Sequence, residues 1–212
     1  MAYRSKFPFV DADLEKNLEE AGFSSSSPGR RVLRLSSDGQ ESVALRWTSS
    51  GSEVYYDPTR AFLSAEGSVP EGVHEAFGKL VKIAAALLGP TWATELKWTE
   101  LYATIRILGE RKPLESYTET YSPKIIERVG KILGTTVKPF LFAVFSSPGG
   151  EEGQPLNEIP NWVTIVVEPF IQNPKYYFMK LVFRQQDTEK VVGFASRLEK
   201  IVGGIISEIE GR

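Results

Sequence analysis

Four arginines lie inside segments that the sequence predicts to be β-strands, and they are the side chains that most suggest ligand chemistry. They are Arg34, Arg46, Arg106 and Arg184, and each has an apolar neighbour on at least one side. Because side chains alternate between the two faces of a strand, these guanidinium groups are predicted to share the face away from the core. Guanidinium groups bind phosphates and carboxylates in a bidentate manner and stack on planar rings.

Aromatic and basic side chains are predicted on the same face, since they follow the same alternation. Arginine together with aromatic rings is suited to anionic ligands and to stacked rings. The candidate ligand-binding set is therefore Arg34, Arg46, Trp98, Tyr102, Arg106, Lys180 and Arg184. The alternative interpretation is a solvated face on which these cations pair with acids across the strands. The acids available for that pairing are Glu41, Glu53, Glu100 and Glu168.

Two carboxylates on the predicted polar face, Glu100 and Glu168, are the candidates for acid–base catalysis. Paired carboxylates can share proton transfer or bind magnesium. Their positions do not match the spacing of a metal-binding motif, so neither a metal nor another cofactor is predicted.

Several catalytic and metal-binding classes are excluded by residues that the chain lacks. There is no cysteine, which excludes disulfides, thiolate metal sites and cysteine nucleophiles. His74 is the only histidine, and it lies in a predicted helix, so a histidine-rich zinc site cannot form within one chain. Neither of the standard glycine-rich phosphate-binding loops is present.

The overall composition is that of an ordinary globular protein. The 212 residues carry a formal net charge of only −2, so no general basic field favours nucleic acid. No apolar run is long enough to span a bilayer, and the charged N-terminal segment does not resemble a signal peptide. We expect a cytoplasmic protein that does not bind membranes. The scarcity of Asn, Gln, Met and Cys is typical of thermophilic proteins.

Hydrophobic periodicity and turn residues predict the helices and strands that position these side chains. In the first half, a helix is predicted over 11–22 and another over about 70–88, where Pro70 suits the first turn and Gly89-Pro90 ends it. The strands predicted between them are 31–36, 41–47, 52–56 and 61–65, and residues 4–10 could supply a leading strand.

The second half begins with a long alternating strand over 96–108, followed by a loop. A helix over 122–134 comes next, since Ser122-Pro123 favours a helix start and Gly134 a helix end. Three further strands are predicted at about 138–146, 161–169 and 175–185. A final amphipathic helix is predicted over about 187–209.

This order predicts an α+β fold with a curved antiparallel sheet, long helices on one face and pseudo-duplicated β-α-β-β-β-α halves. We expect a single domain over 1–212, with two pseudo-repeat halves, 1–89 and 90–212. The element order resembles the topology of the TATA-binding protein family, in which two strand–helix–strands–helix halves form one saddle-shaped sheet. No motif of that family is present, so the resemblance assigns no site residue.

Two further segments have open interpretations. Residues 146–160, SSPGGEEGQPLNEIP, form a long acidic connection that is either a flexible insertion or an interface arm. The last four residues, IEGR, match a protease site used to remove tags, so 209–212 are either a tag remnant or the native end of a helix.

Together these features predict a binding or scaffold protein, not an enzyme, that uses an open sheet face. One alternative is a nucleic-acid-binding protein that uses the arginine and aromatic face. The other is a carboxylate-dependent enzyme with a pocket between the sheet and the helices. A homodimer is also predicted, because open sheet faces and edge strands are often covered by a second copy.

Overall fold

The computed structural model describes residues 1–5, 8–25, 31–35, 41–49, 51–146 and 158–212. The chain divides into two compact units, Met1–Thr99 (unit 1) and Glu100–Arg212 (unit 2). Each unit combines antiparallel strands with helices, which confirms the predicted α+β fold class with an antiparallel sheet. Most of the acidic connection at 146–160 lies outside the described residues.

Unit 1 pairs its strands in the order β2-β3-β4-β5-β1-β6, and every pairing is antiparallel. Its helices lie between β1 and β2 and after β5. A short 3₁₀ turn, Gly89–Thr91, links α2 to α3. The elements are β1 (Ala2–Tyr3), α1 (Asp11–Glu20), β2 (Arg31–Leu35), β3 (Glu41–Ser49), β4 (Ser52–Asp57), β5 (Phe62–Gly67), α2 (Pro70–Leu88), α3 (Trp92–Glu95) and the start of β6 (Leu96–Leu108).

The core of unit 1 forms where helices α1 and α2 meet the sheet. Leu14 and Leu18 of α1 are fully buried in one cluster with Trp47 of β3 and Leu80 of α2. Leu14 and Leu18 are four residues apart, which places them on one face of α1. The strand β3, one position in from the β2 edge, therefore shares one core with both helices.

Unit 2 continues β6 and pairs its strands in the order β6-β9-β8-β7, with β7 at the edge. Helices follow both β6 and β9, so the strand–helix–strands–helix order occurs again. The elements are α4 (Pro113–Thr120), α5 (Pro123–Leu133), β7 (Phe142–Ser146), β8 (Trp162–Pro169), β9 (Tyr176–Gln185), α6 (Thr188–Ala195) and α7 (Leu198–Glu210).

Helices α4 and α7 cover one face of the unit 2 sheet. That face is apolar because alternate residues of β6, β8 and β9 point towards the helices. The hydroxyl of Tyr117, on α4, donates a hydrogen bond of 2.9 Å to the Val167 carbonyl. The cluster comprises Ile105, Ile107, Tyr117, Val167, Tyr177, Met179, Val202, Ile206 and Ile209.

Three details of the secondary structure differ from the predictions. The segment after β6, predicted as a loop, contains α4, which starts at Pro113 and is held by the burial of Tyr117. The single helix predicted over 187–209 is two helices, separated at Ser196–Arg197. The break lets Phe194 of α6 stack on Phe183 of β9, while α7 packs on the core.

The third difference is the leading strand. It was predicted at residues 4–10, but β1 comprises Ala2–Tyr3, which pair with β5 and β6. Pro8 has no backbone N–H to donate to a sheet, so the strand lies before it. Residues 6–7 are outside the described part of the chain.

Candidate functional site

The face of the unit 2 sheet opposite α4 and α7 carries a row of polar and aromatic side chains that are exposed or half-buried. Alternation along β6 and β9 places them there, since Ile105 and Met179 point to the helices. Tyr102 is 58% exposed. We call this surface the platform, and its residues are Tyr102, Thr104, Arg106, Phe178 and Lys180.

Two cations of the platform lie over aromatic rings. The Arg106 guanidinium carbon is 5.4 Å from the centroid of the Phe170 ring, and the Lys180 Nζ is 5.4 Å from the centroid of Phe178. The two rings are themselves 6.2 Å apart. Cation–π contacts of this kind restrict a flexible cation to one region of the surface. The platform therefore presents its two cations on a connected pair of rings.

Beside the platform, the side chain of Arg184 is held by contacts with three neighbouring residues. Its Nε donates a hydrogen bond of 2.7 Å to Glu100 Oε2, and its Nη1 lies 3.4 Å from the Ile159 carbonyl oxygen. The guanidinium carbon is 5.0 Å from the Trp162 ring centroid. Arg184 and Trp162 are both buried, so this cation is enclosed within the unit and offers little surface to a ligand.

The predicted carboxylates both have cation partners. Glu100 pairs with Arg184, and Glu168 Oε1 is 3.1 Å from Lys180 Nζ. In unit 1, Arg46 pairs with Glu53 at 3.5 Å. These three pairs have the cross-strand arrangement of the alternative interpretation. Among the described residues, Arg106 has no acid within ion-pair distance.

The structure groups only part of the predicted ligand-binding set. Tyr102, Arg106 and Lys180 share the platform, with Arg184 beside it in the same unit. Arg46 and Trp98 belong to unit 1, where the Lys97 Nζ is 4.3 Å from the Trp98 ring centroid. The backbone of Arg34 pairs with Ser42, and its side chain is outside the described part of the chain.

Sequence reasoning missed the rings that support the cations. Phe178 could have been placed on the platform by its alternation with buried Tyr177. Phe170 gave no such signal because it follows the last residue of β8, where a turn begins and alternation ends. The Phe170 carbonyl accepts a hydrogen bond of 2.9 Å from the Asn173 N–H in that turn.

A second polar cluster is buried at the end of α7. The side chain of Glu210 is fully buried, and its Oε1 accepts a hydrogen bond of 3.0 Å from the Arg111 backbone N–H. Its Oε2 lies 2.7 Å from Arg212 Nη2. Ile209 is buried in the core of unit 2. The end of the chain is therefore an integral part of this unit, and the cluster is structural.

Buried tyrosines form a further group of titratable side chains. Burial raises the pKa of Tyr117 and of Tyr177, and the Tyr177 hydroxyl donates a hydrogen bond of 3.0 Å to Ser116 Oγ. In unit 1, burial raises the pKa of Tyr3, and raises that of Tyr56 to about 12. These phenols stay neutral at physiological pH and act as packing groups.

The described part of the chain contains neither a cluster of metal ligands nor a membrane-spanning helix. The described residues contain no group of three or more His, Asp or Glu side chains placed to hold a metal ion. In the same residues, no helix has the length and apolar character needed to cross a bilayer.

Comparison with protein-family models, with curated proteins and with solved structures finds no match to this chain.

Proposed function

We propose that this protein is a binding protein without a catalytic centre, and that unit 2 recognises its ligand on the platform. The observation that carries the proposal is the Arg106 guanidinium group, which lies over the Phe170 ring on the face opposite α4 and α7 and has no acid partner among the described residues. A surface whose only role is solvation gains little from ordering such a long side chain, since that ordering costs side-chain entropy.

The chemistry of the platform favours a ligand that combines negative charge with a planar ring. Arg106 supplies a guanidinium group that no described acid neutralises, and Thr104 beside it supplies a hydroxyl. Tyr102 presents an exposed ring on which a planar group can stack. Arginine and aromatic side chains together recognise such ligands through charge and stacking.

Single-stranded nucleic acid is the second candidate ligand, because its phosphates and bases supply both features. The platform favours it, whereas the net charge of −2 argues against strong long-range attraction. The carboxylate-dependent enzyme gains no support from the structure, because Glu100 and Glu168 are each held in an ion pair.

The test uses fluorescence anisotropy at low salt with three labelled probes. They are a single-stranded oligothymidylate, which has charge and rings, polyglutamate, which has charge alone, and polylysine, which has the opposite charge. We expect the oligothymidylate to bind most tightly and polylysine not to bind. Arg106→Glu should weaken binding about tenfold or more, which corresponds to about 1.4 kcal/mol.

The matched control is Lys190→Glu, the same type of charge reversal at an exposed position of α6. It should leave affinity almost unchanged. Equal losses in both variants would indicate a general charge effect, and no binding of any probe at low salt would remove the platform as a recognition surface. The cytoplasmic location predicted from composition stays a prediction, which fractionation of cells tests.

A further inference from the structure

Unit 2 has an apolar groove between α7 and the edge of its sheet. It is a cavity of about 660 Å³, open to solvent, on the face opposite the platform. Its lining is mainly apolar and also includes the charged residues Arg197, Lys200 and Glu208. The other lining residues are Phe142 and Val144 of β7, Ile165 of β8, and Ile201, Gly204, Ile205 and Ile209 of α7.

The same unit has a helix whose apolar side is uncovered. No residue of α5 is buried, although its sequence is strongly amphipathic. Ile125, Val129, Ile132 and Leu133 form one stripe, because they occupy positions i, i+4, i+7 and i+8. They are between 40% and 83% exposed. Contiguous apolar stripes on a surface are typical of interaction sites.

Unit 1 offers a comparison, because its helix α1 shares a core with strand β3. There, helix α1 follows the first strand and buries Leu14 and Leu18 in the cluster that contains Trp47 of β3. In unit 2, β7 lies as far from β6 in the strand order as β3 lies from β1. Val144 of β7 nevertheless remains exposed in the groove. Among the described residues of unit 2, the only helices that contribute to the core beside Phe142 of β7 are α4 and α7, so α5 is not part of that core.

We propose that α5 of a second copy of this chain lies in the groove, and that the two copies exchange this contact reciprocally. Such an interface is two-fold symmetric and buries both stripes and both grooves. Gly204 favours the close approach of a helix, since a Cβ built there has no atom within 4 Å.

A second copy is favoured over the same chain because the segments before and after α5 are tied to each other beside β7. Before the helix, the Tyr121 hydroxyl donates a hydrogen bond of 2.7 Å to the Leu141 carbonyl, just before β7. After it, the Thr135 N–H donates to the Gly130 carbonyl at 3.1 Å, which closes the helix end. Folding α5 into its own groove requires this connection to open, whereas a partner can receive α5 as it stands.

The first experiment measures mass by sedimentation over a range of concentrations. We expect twice the chain mass of 23.6 kDa for the unchanged protein. Ile132→Glu puts a charge on the stripe and Gly204→Leu fills the groove, and each should give the monomer mass. Gly204→Leu also removes a glycine from a helix interior, so loss of folding is not expected.

Two matched controls accompany these variants. Ile171→Glu introduces the same charge at an exposed turn, and Gly203→Leu makes the same change next to Gly204 but outside the groove lining. Both should remain dimeric. An unchanged protein that is monomeric at every concentration overturns the proposal, as does a dimer that survives Gly204→Leu.

The second experiment distinguishes the two possible occupants of the groove, which are α5 of a second copy and α5 of the same chain. Because the protein has no cysteine, the double variant Ile132→Cys, Ile201→Cys contains the only two thiols. Oxidation should give covalent dimers on a non-reducing gel. A disulfide formed within one monomer would show that α5 occupies its own groove, and this result overturns the proposal. Because the platform is on the opposite face, loss of ligand binding there does not affect the expected result.

Discussion

Arg184 and Glu100 form an ion pair between neighbouring strands of unit 2, although 84 positions separate them in the chain. Arg184 Nε and Nη2 lie 2.7 Å and 2.5 Å from Glu100 Oε2. The side chains are only 11% and 22% exposed, and the Trp162 ring lies against the guanidinium group. This shielding from water distinguishes the pair from the surface ion pairs of the same unit.

Replacing Arg184 with Met should lower the free energy of unfolding by about 2–4 kcal/mol, because Glu100 is left largely shielded without its partner. Urea denaturation followed by circular dichroism measures this. Lys180→Met is the matched control, since Lys180 pairs with Glu168 at a more exposed position. It should cost less than about 1 kcal/mol. Equal losses would show that burial does not strengthen the Arg184 pair.

Gly109→Ala should destabilise unit 2 by about 1–3 kcal/mol, because the added methyl group has no space. A Cβ at this position would be 2.7 Å from both the Arg111 carbonyl oxygen and Glu210 Oε1, and would also meet the Tyr177 ring. The control is Gly203→Ala on α7, where nothing lies within 4 Å of the new Cβ. Alanine should stabilise that helix by about 0.5–1 kcal/mol. Thermal melting measures both shifts, and shifts of the same sign would refute the steric explanation.

The buried tyrosines should make the protein unfold at alkaline pH. Their folded pKa values are raised above the ordinary value of about 10, so their contribution to stability is fully present below that pH. It is lost as the pH rises through the folded value, which is about 12 for Tyr56. Tyr56→Phe should therefore reduce the loss of stability between about pH 10 and 12.

Urea unfolding at several pH values in this window, with absorbance of the phenolate, measures that change. Tyr102→Phe is the control, because Tyr102 is exposed on the platform. It should leave the pH dependence as it is in the unchanged protein. If Tyr56→Phe has no more effect than the control, Tyr56 does not cause the alkaline transition.

Glu210→Ala should lower the free energy of unfolding by about 1–3 kcal/mol, because the partly buried Arg111 N–H loses its acceptor. Calorimetric unfolding measures this change. Glu199→Ala removes an exposed carboxylate of the same helix and should change stability by no more than about 0.5 kcal/mol. A Glu210 variant as stable as the Glu199 variant would show that the C-terminal residues are not needed to close unit 2.

The sequence was most informative where a pattern is long and local. The bounds of β6 agree with the predicted 96–108, because thirteen alternating residues leave little ambiguity about a half-buried strand. The bounds of α2 agree with 70–88, because Pro70 and Gly89 define its ends chemically. Helix α4 was missed because its eight residues show weak periodicity, and the burial of Tyr117 depends on β8 and β9.

Alternation along each strand was sufficient to predict which side chains point away from the core, and it placed Tyr102, Arg106 and Lys180 on a common face. It could not predict that Lys180 has an acid partner while Arg106 lies over Phe170. Those contacts depend on which strands are neighbours and on their register, because pairing brings together residues far apart in the chain. The exposure of the α5 stripe also depends on tertiary structure. The residues of α5 predict an amphipathic helix, whereas the packing of the other helices decides whether its apolar side is covered.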